Sequence, residues 1–568
     1  MKKVEPVKHI LKRIYGDTKG SLAFEKILPL IENFSVFKSE KQDYFSQKDV
    51  VLITYGDSLN REGEVPLETL SKFSNQYLKG LFSTIHILPF FPYSSDDGFS
   101  VQDFFCVNPD LGSWEEIEAL AKEFELMYDY VLNHISAQSQ WFKRYKDEEK
   151  GFKALAIEVD PEIDLSMVTR PRSLPLLTEV TKSSGKTAHV WTTFSADQID
   201  LNYKDIDVLE KMIEVLLFYV QQGARMLRLD AVAYLWKEIG TKCIHLRQTH
   251  DMVKLFRKIL DVVAPDVIII TETNVPHDEN ISYFGDGKDE AQMVYNFTLP
   301  PLLLHAFIKE DSTVLSQWAK GLQLGSDKTT FFNFTASHDG IGVRPLEGIL
   351  SKEELNQLVE IIKKNGGYVS CKKNPDGSES PYELNITYVD SLRKQKDGHD
   401  IYHTQRFIAS QAIQYVLPGV PATYIHSLLG SINWKEGVRK TQGARTINRE
   451  KLNIESVLLQ LKNIKSFRAM VFFPYIKLIE LRKRQPAFHP NAAFEILEVH
   501  PQLFAIARYC REQEIYTFTN ISSKPVSFSL KGKNIPSNLK DIFTERRVDS
   551  NGLSLEPYQY VWLTTRTR

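Results

Sequence analysis

What this chain of 568 residues lacks narrows the field first. It has four cysteines, Cys106, Cys243, Cys371 and Cys510, far apart and with no Cys-x-x-Cys pair or metal-ligand spacing. That usage excludes a disulfide scaffold and a zinc ribbon, and it fits reduced thiols. No window approaches 18 uninterrupted apolar residues, and the N-terminal MKKVEPVKHILKRIYGD has no apolar core of the signal-peptide kind, so neither a membrane span nor an export signal is expected. Charge of one sign is also missing: 70 Lys and Arg stand against 72 acidic residues, a formal net charge of −2. There is no basic field for nucleic acid or an anionic membrane, and any recognition of anions must be local. Internal repeats and low-complexity tracts are absent too. The expectation is a cytoplasmic protein with no nucleic-acid or membrane partner and an oligomeric state the sequence leaves open.

What is present is a large globular chain, 42% hydrophobic and 25% charged, with length for more than one domain. Short apolar runs recur at residues 50–56, 84–90, 126–134, 224–232, 266–273, 293–297, 330–339 and 420–429. Each is about the length of a buried parallel strand. Stretches of helical periodicity lie between them, among them LETLSKFSNQYLKGLF, SWEEIEALAKEF and DVLEKMIEVLLFYVQQG. Strand then helix, repeated between most of eight such runs, predicts an α/β fold of the TIM (β/α)8 barrel type over residues 49–490. Two intervals are too long for simple crossovers. Residues of about 135–200, after strand three, and about 340–400, after strand seven, the latter with the turn NPDGSESP, read as small subdomains inserted at the rim. Residues 491–568 alternate like a compact antiparallel β domain, and residues 1–48 read as an amphipathic helical extension.

In such barrels the chemistry gathers at the C-terminal ends of the strands. Strand three ends in Asp129, Asn133 and His134, strand four in Arg228 and Asp230, strand five in Glu272, strand seven in His338 and Asp339. Arg228 and Asp230, two residues apart, share one face of a buried strand. Buried charges need partners, and alone the two would pass for a structural ion pair. With Glu272 and Asp339 they become a set: one carboxylate to attack an anomeric carbon, one protonated acid to assist the leaving oxygen, and a further group to stabilise an oxocarbenium-like transition state. Arg228 would keep Asp230 ionised and aimed.

The segments DYVLNH, RMLRLDAVAY, TETN and ASHD resemble, in order, the four short regions of the α-amylase superfamily of glycoside hydrolases and transglycosidases. The resemblance implies that Asp230 is the catalytic nucleophile, Glu272 the general acid/base and Asp339 the transition-state stabiliser. It makes His134 and His338 hydroxyl-binding histidines and Arg228 the nucleophile's arginine. The equivalent of Asn133 binds calcium in many amylases; the phosphorylase group does without it, which makes this Asn structural and the expected metal none.

HILPFFPYSSDDGFS, RPRSLPLLT, HVWTTFSADQIDLNY, SHDGIGV, LPGVPATYIHSLLGS and ARTINRE are similar to the sucrose phosphorylase group, and SSDDGFS, SPYELNITY and the N-terminal extension favour its glucosylglycerate phosphorylase branch. By that similarity Asp96 and Arg445 pair to close a glucose pocket walled by Phe99 and Phe194. Arg172 binds phosphate with Arg170 beside it, and Arg344 is a candidate for an acceptor carboxylate or phosphate. The implied reaction is two-step and retaining: phosphate, a co-substrate, takes glucose from a covalent glucosyl-enzyme to give α-glucose 1-phosphate, without a metal or organic cofactor. Glucosylglycerol, sucrose 6′-phosphate and sucrose are alternative glucosides. A hydrolase or transglucosidase on the same machinery, and a non-catalytic amylase-like binding protein, are the other readings.

Overall fold

The computed structural model describes residues 3–34, 43–374, 378–394, 400–533, 535–549 and 552–565. Eight parallel strands close a barrel. In chain order they are β1 (Val51–Thr54), β2 (Thr84–Ile87), β3 (Glu125–Tyr130), β4 (Ala224–Leu229), β5 (Ile268–Thr271), β6 (Met293–Tyr295), β7 (Thr330–Asn333) and β8 (Val420–Tyr424). Each lies within or one residue from an apolar run of the sequence, and each is shorter than its run, because ladder pairing stops where the chain turns outward at the rim. The register Ile270 with Arg228 and Asp129 with Arg228 across β5, β4 and β3 puts the charged side chains of neighbouring strands at one height in the barrel. Successive residues alternate between barrel interior and helical shell, so Leu227 and Leu229 face the helices while Arg228 faces inward.

The predicted helices form at Pro66–Tyr77, Trp114–Ala121 and Ile206–Gln221. Ser113 starts the second with a reciprocal cap to Glu116, which satisfies two amide donors otherwise orphaned at a helix start. Between β3 and β4, two antiparallel pairs form, His134–Ser136 with Gln198–Asp200 and Leu177–Thr181 with Thr187–Trp191. After β7, Ile341–Gly342, Tyr368–Lys373 and Glu379–Asn385 make a three-stranded sheet. The centre of the NPDGSESP turn, residues 375–377, lies outside the described residues.

The N-terminal segment forms two helices, Glu5–Tyr15 and Asp17–Glu32. They approach so closely at Gly20 that a Cβ there would lie 2.5 Å from the Cα of Lys12. The pair is bound to the barrel shell by Arg13 on Asp251 at 2.5 Å and Lys26 on Asp207 at 2.7 Å. No helix among the described residues is long and apolar enough to cross a membrane.

From Ala493 onward the chain builds a six-stranded antiparallel sheet and a separate two-stranded one. One buried arginine of the larger sheet, Arg508 on Leu503–Tyr509, and one on the helix before the domain, Arg482 of Phe467–Lys483, tie together the segments that join this sheet to the barrel. Arg508 donates to the carbonyls of Val416 and His489, both at 2.7 Å, and Arg482 donates to those of Tyr415 at 3.1 Å and Phe488 at 3.1 Å. Among the described residues neither forms a salt bridge with a carboxylate, so their energy lies in carbonyls that would otherwise be buried without donors. Arg508→Met is expected to destabilise the fold by about 3 kcal/mol, seen as a lowered Tm in calorimetry, with kcat unchanged because the contact is far from the rim.

Candidate active site

The floor of the site is a buried charge cluster inside the barrel. Arg228 is 2% exposed. Its Nη1 donates to Asp129 of β3 and, at 2.8 Å, to Asp230 Oδ1, while Nη2 stands 4.0 Å from Glu272 Oε2. His86 of β2 meets the other oxygen of Asp129 at 2.8 Å, and the ring of Tyr295 from β6 lies 5.4 Å from the guanidinium carbon. One guanidinium thus touches or faces three carboxylates taken out of water, the arrangement that offsets the desolvation of a buried ion.

The chain turns sharply above it. Ala231 adopts a left-handed φ of 50°, which aims its amide at Glu272 Oε2, 3.0 Å away. A non-glycine in that region is strained, and such strain persists where the surroundings over-determine it. Burial raises Glu272, Arg228 opposes, and the charges of Asp230 and Asp339 push further, bringing it to about 7. Asp230 is shifted up by the same burial, with Arg228 opposing it. Two neighbouring carboxylates cannot both ionise freely in a dry site. Direct contact with Arg228 favours the charge on Asp230 and leaves the proton to Glu272. Burial alone would raise Asp339 too, but Arg445, Arg449, Arg228 and Arg172 hold it below its ordinary value. Burial lowers both His338 and His134, so both are neutral rings at neutral pH.

The structure brings Asp96, Phe99, His134, Arg172, Phe194, Asp230, Glu272, His338, Asp339 and Arg445 onto one narrow cavity of about 70 Å³. Phe99 stacks on His338 at 4.6 Å between ring centres, and Phe194 tilts against His134 at 5.4 Å. Arg228 lies beneath this cavity. Arg344 is not in it: it lines an adjoining outer cavity of about 560 Å³, with Arg170, Lys242 and Lys372, and faces Glu279 at 3.6 Å. Tyr234 and Tyr382 border both cavities. Among the described residues Arg172 has no carboxylate within ion-pairing distance, and it stands on the inner cavity.

One expectation is corrected. Arg445 does not pair with Asp96. It grips Glu383 with two hydrogen bonds, 2.9 and 2.6 Å, and reaches Asp339 at 2.5 Å. The cation over the SSDDGFS loop is Arg449, 2.7 Å from Asp97 and 3.7 Å from Asp96. Arg445 lies within the 3-10 turn Ala444–Asn448 and Arg449 directly follows it, and there four residues' separation does not keep them on one side as it would in an α-helix. Glu383 was invisible in the sequence, since it sits on an insertion strand and not at a barrel strand end. Its segment, SPYELNITY, was the only pointer to it.

Asn133 has an unexpected partner. The buried ammonium of Lys237 lies 2.8 Å from Asn133 Oδ1 and 2.5 Å from Asp200 Oδ2, while Asn133 Nδ2 donates to Asp200 at 3.1 Å. The cation between these two oxygens is supplied by the chain itself. Asn133 also contacts His134 Nδ1 at 3.3 Å, and His134 Nε2 meets the Phe99 carbonyl at 2.9 Å, so this network carries through to the cavity wall.

Chemically, the cavity offers an ionised carboxylate, a carboxylic acid that titrates near neutrality, a third fixed carboxylate and a guanidinium with no carboxylate partner among the described residues. That is the equipment of retaining glycosyl transfer to an anionic acceptor.

Comparison with known proteins agrees with this chemistry. Residues 71–339 match the family model of the α-amylase catalytic domain. The chain is 47% identical to a glucosylglycerate phosphorylase of Spirochaeta thermophila over 531 residues, 92% of this chain and 90% of that one. It is 44% identical to a glucosylglycerate phosphorylase of Escherichia coli over 557 residues, 97% of this chain and 98% of that one. Among solved structures it is similar to sucrose 6F-phosphate phosphorylase from Thermoanaerobacter thermosaccharolyticum, with a TM-score of 0.73, 25% identity, and coverage of 84% of this chain and 94% of that one.

The division of labour between Asp230 and Glu272 has a direct readout. Glu272→Gln, incubated with α-glucosyl fluoride, whose leaving group needs little protonation, is expected to accumulate a glucosyl adduct on Asp230 in intact-mass and peptide spectra, whereas Asp230→Asn should form none. In the parent, cleavage of an ordinary glucoside should decline as pH rises through about 7, where Glu272 loses its proton, and the fluoride should not show that decline. Absence of any adduct in the Glu272→Gln variant would contradict these roles.

Proposed function

The chain belongs to the α-amylase family, in company with its glucosylglycerate phosphorylases, and we propose that it cleaves glucosylglycerate with phosphate to give α-glucose 1-phosphate and glycerate. Asp230 attacks the anomeric carbon as Glu272 hands its proton to the glycerate oxygen. A covalent glucosyl-enzyme forms with inverted configuration. Phosphate then attacks, its proton passing to Glu272, and the second inversion restores the α configuration. Asp339, His134 and His338 hold the hydroxyls of the glucosyl ring, and Phe99 and Phe194 wall it. The reaction so written uses no metal or organic cofactor. Its partners are two small molecules, the α-glucoside and phosphate, and its place is the cytoplasm.

The observation that carries the reading is Arg172: a guanidinium without a carboxylate partner among the described residues, on the same cavity as Asp230, Glu272 and Asp339. A hydrolase adds neutral water and has no use for a free cation there, whereas a phosphate dianion approaching three carboxylates needs one. On the leaving-group side, Arg344, Arg170, Lys242 and Lys372 outnumber Glu279 and Glu347 in the wall of the outer cavity. That cationic lining suits an acceptor with a carboxylate better than glycerol or fructose. The glucosylglycerate phosphorylase relatives, aligned over most of their length, support the same choice.

A cation that serves mainly the attacking phosphate matters to the second step and hardly to the first. Arg172→Ala is expected to weaken phosphate use by about 2 to 3 kcal/mol, while glucosylation of Asp230 and slow hydrolysis persist. The quantity to measure is the ratio of phosphorolysis to hydrolysis from one glucosyl donor at several phosphate concentrations. A variant that keeps the parental ratio would remove Arg172 from the phosphate site, and a parent without phosphate dependence would make the protein a hydrolase.

A further inference from the structure

The loop that carries Asp96 and Phe99 is conformationally demanding. Asp96, Asp97 and Gly98 have consecutive φ values of 53°, 48° and 109°, a left-handed run that L side chains seldom adopt. Gly98 is required: a Cβ there would lie 2.5 Å from the Pro89 carbonyl oxygen. The loop closes on itself through the Ser94 amide and Ser100 carbonyl at 3.1 Å. Something outside must hold so unusual a turn in place. At its tip, Arg449 does so through Asp97 at 2.7 Å.

At its neck stands a carboxylate from a different part of the chain. Asp197 Oδ2 accepts the hydroxyls of Ser94 and Ser95, each at 2.5 Å, and that of Ser100 at 2.7 Å. Ser136, just beyond β3, hydrogen-bonds Ser94 at 2.6 Å and lies 3.4 Å from Asp197 Oδ1. The Asp197 carbonyl in turn takes the amide of Ala137 at 2.8 Å. Three serines on both sides of the left-handed run therefore converge on one oxygen, and the next residue, Gln198, faces His134 at 3.2 Å. A carboxylate gathering hydroxyls is a strong, directional fastener.

We propose that Asp197 is a positioning residue of the glucosyl pocket: by clamping Ser94, Ser95 and Ser100 it fixes the strained loop so that Asp96 and Phe99 face the sugar. This rests on the reading that the inner cavity takes the glucosyl ring. Asp197 itself lines neither cavity, so it acts through the loop and not on substrate. A displaced pocket wall costs binding of the ring in every complex that contains it, while the partition of the glucosyl-enzyme between phosphate and water, set on the acceptor side, is untouched.

The test is a double-mutant cycle on the full-length enzyme, with α-glucose 1-phosphate as donor and glycerate as acceptor. Asp197→Ala is expected to lower kcat/KM by about tenfold to a hundredfold, chiefly through the KM for the donor. Asp197→Asn, which keeps an acceptor oxygen, should recover most of the loss. Ser94→Ala combined with Ser95→Ala should give a smaller loss in the same direction, and it covers the case in which the Asp197→Ala protein folds poorly. Asp96→Ala combined with Asp197→Ala should be little worse than Asp96→Ala alone. Parental KM in both the Asp197→Ala and the serine variants, or full additivity in the cycle, would overturn the clamp while leaving the pocket assignment intact. Parental kcat/KM in Asp96→Ala would overturn both.

Discussion

One buried guanidinium organises this site. Arg228 stands inside the barrel with Asp129 and Asp230 on the same nitrogen and Glu272 close to the other. Remove it and the barrel floor would hold unpaired carboxylates at a cost of several kcal/mol each. Its asymmetry is what makes the chemistry possible. Asp230 receives a hydrogen bond and Glu272 only a distant attraction, so the charge settles on the first and the proton on the second. Asp339 does not compete for Arg228, because Arg445 lies 2.5 Å from it and Arg449 3.7 Å. Three carboxylates are given three different charge environments by where the cations stand, which is what the proposed division of roles rests on.

The same placement of charge explains how an anion can be an acceptor here. A pocket lined by Asp230, Glu272, Asp339 and Glu383 repels phosphate unless cations meet it. The inner cavity supplies Arg172; in the outer one Lys372 is paired with Glu347 at 2.8 Å, and Arg344, Arg170 and Lys242 remain against Glu279. Arg344 is held by Glu279 at 3.6 Å, too far for a hydrogen bond, so it stays available to a carboxylate that can approach more closely. The polarity of the entrance thus runs from cationic outside to anionic at the reacting centre. An α-glucoside with an anionic leaving group fits that gradient in one orientation.

Much of this was legible in the sequence, for physical reasons. A parallel strand buried on both faces is a largely apolar run, so all eight barrel strands announced themselves, and the carboxylates at the ends of several of them pointed to chemistry because they came as a set. What the sequence hid were partnerships. Arg445 and Arg449 are four residues apart in one motif, and only the 3-10 geometry of Ala444–Asn448 decides which reaches Glu383 and which reaches the SSDDGFS loop. Lys237, on Asn133 and Asp200, gave no signal, since both partners lie far off in the chain and no periodicity links them. Asp197 was similarly silent: its three serines lie about a hundred residues earlier in the chain.

The central claim is that a glucosyl group passes through Asp230 between phosphate and an anionic alcohol with its configuration retained. Incubating the enzyme with α-glucose 1-phosphate and glycerate, and following phosphate release and the anomeric proton signals together, tests that claim directly. The account predicts phosphate and α-linked glucosylglycerate in equal amounts, with little free glucose. A β-linked product, or free glucose with no dependence on glycerate, would contradict it.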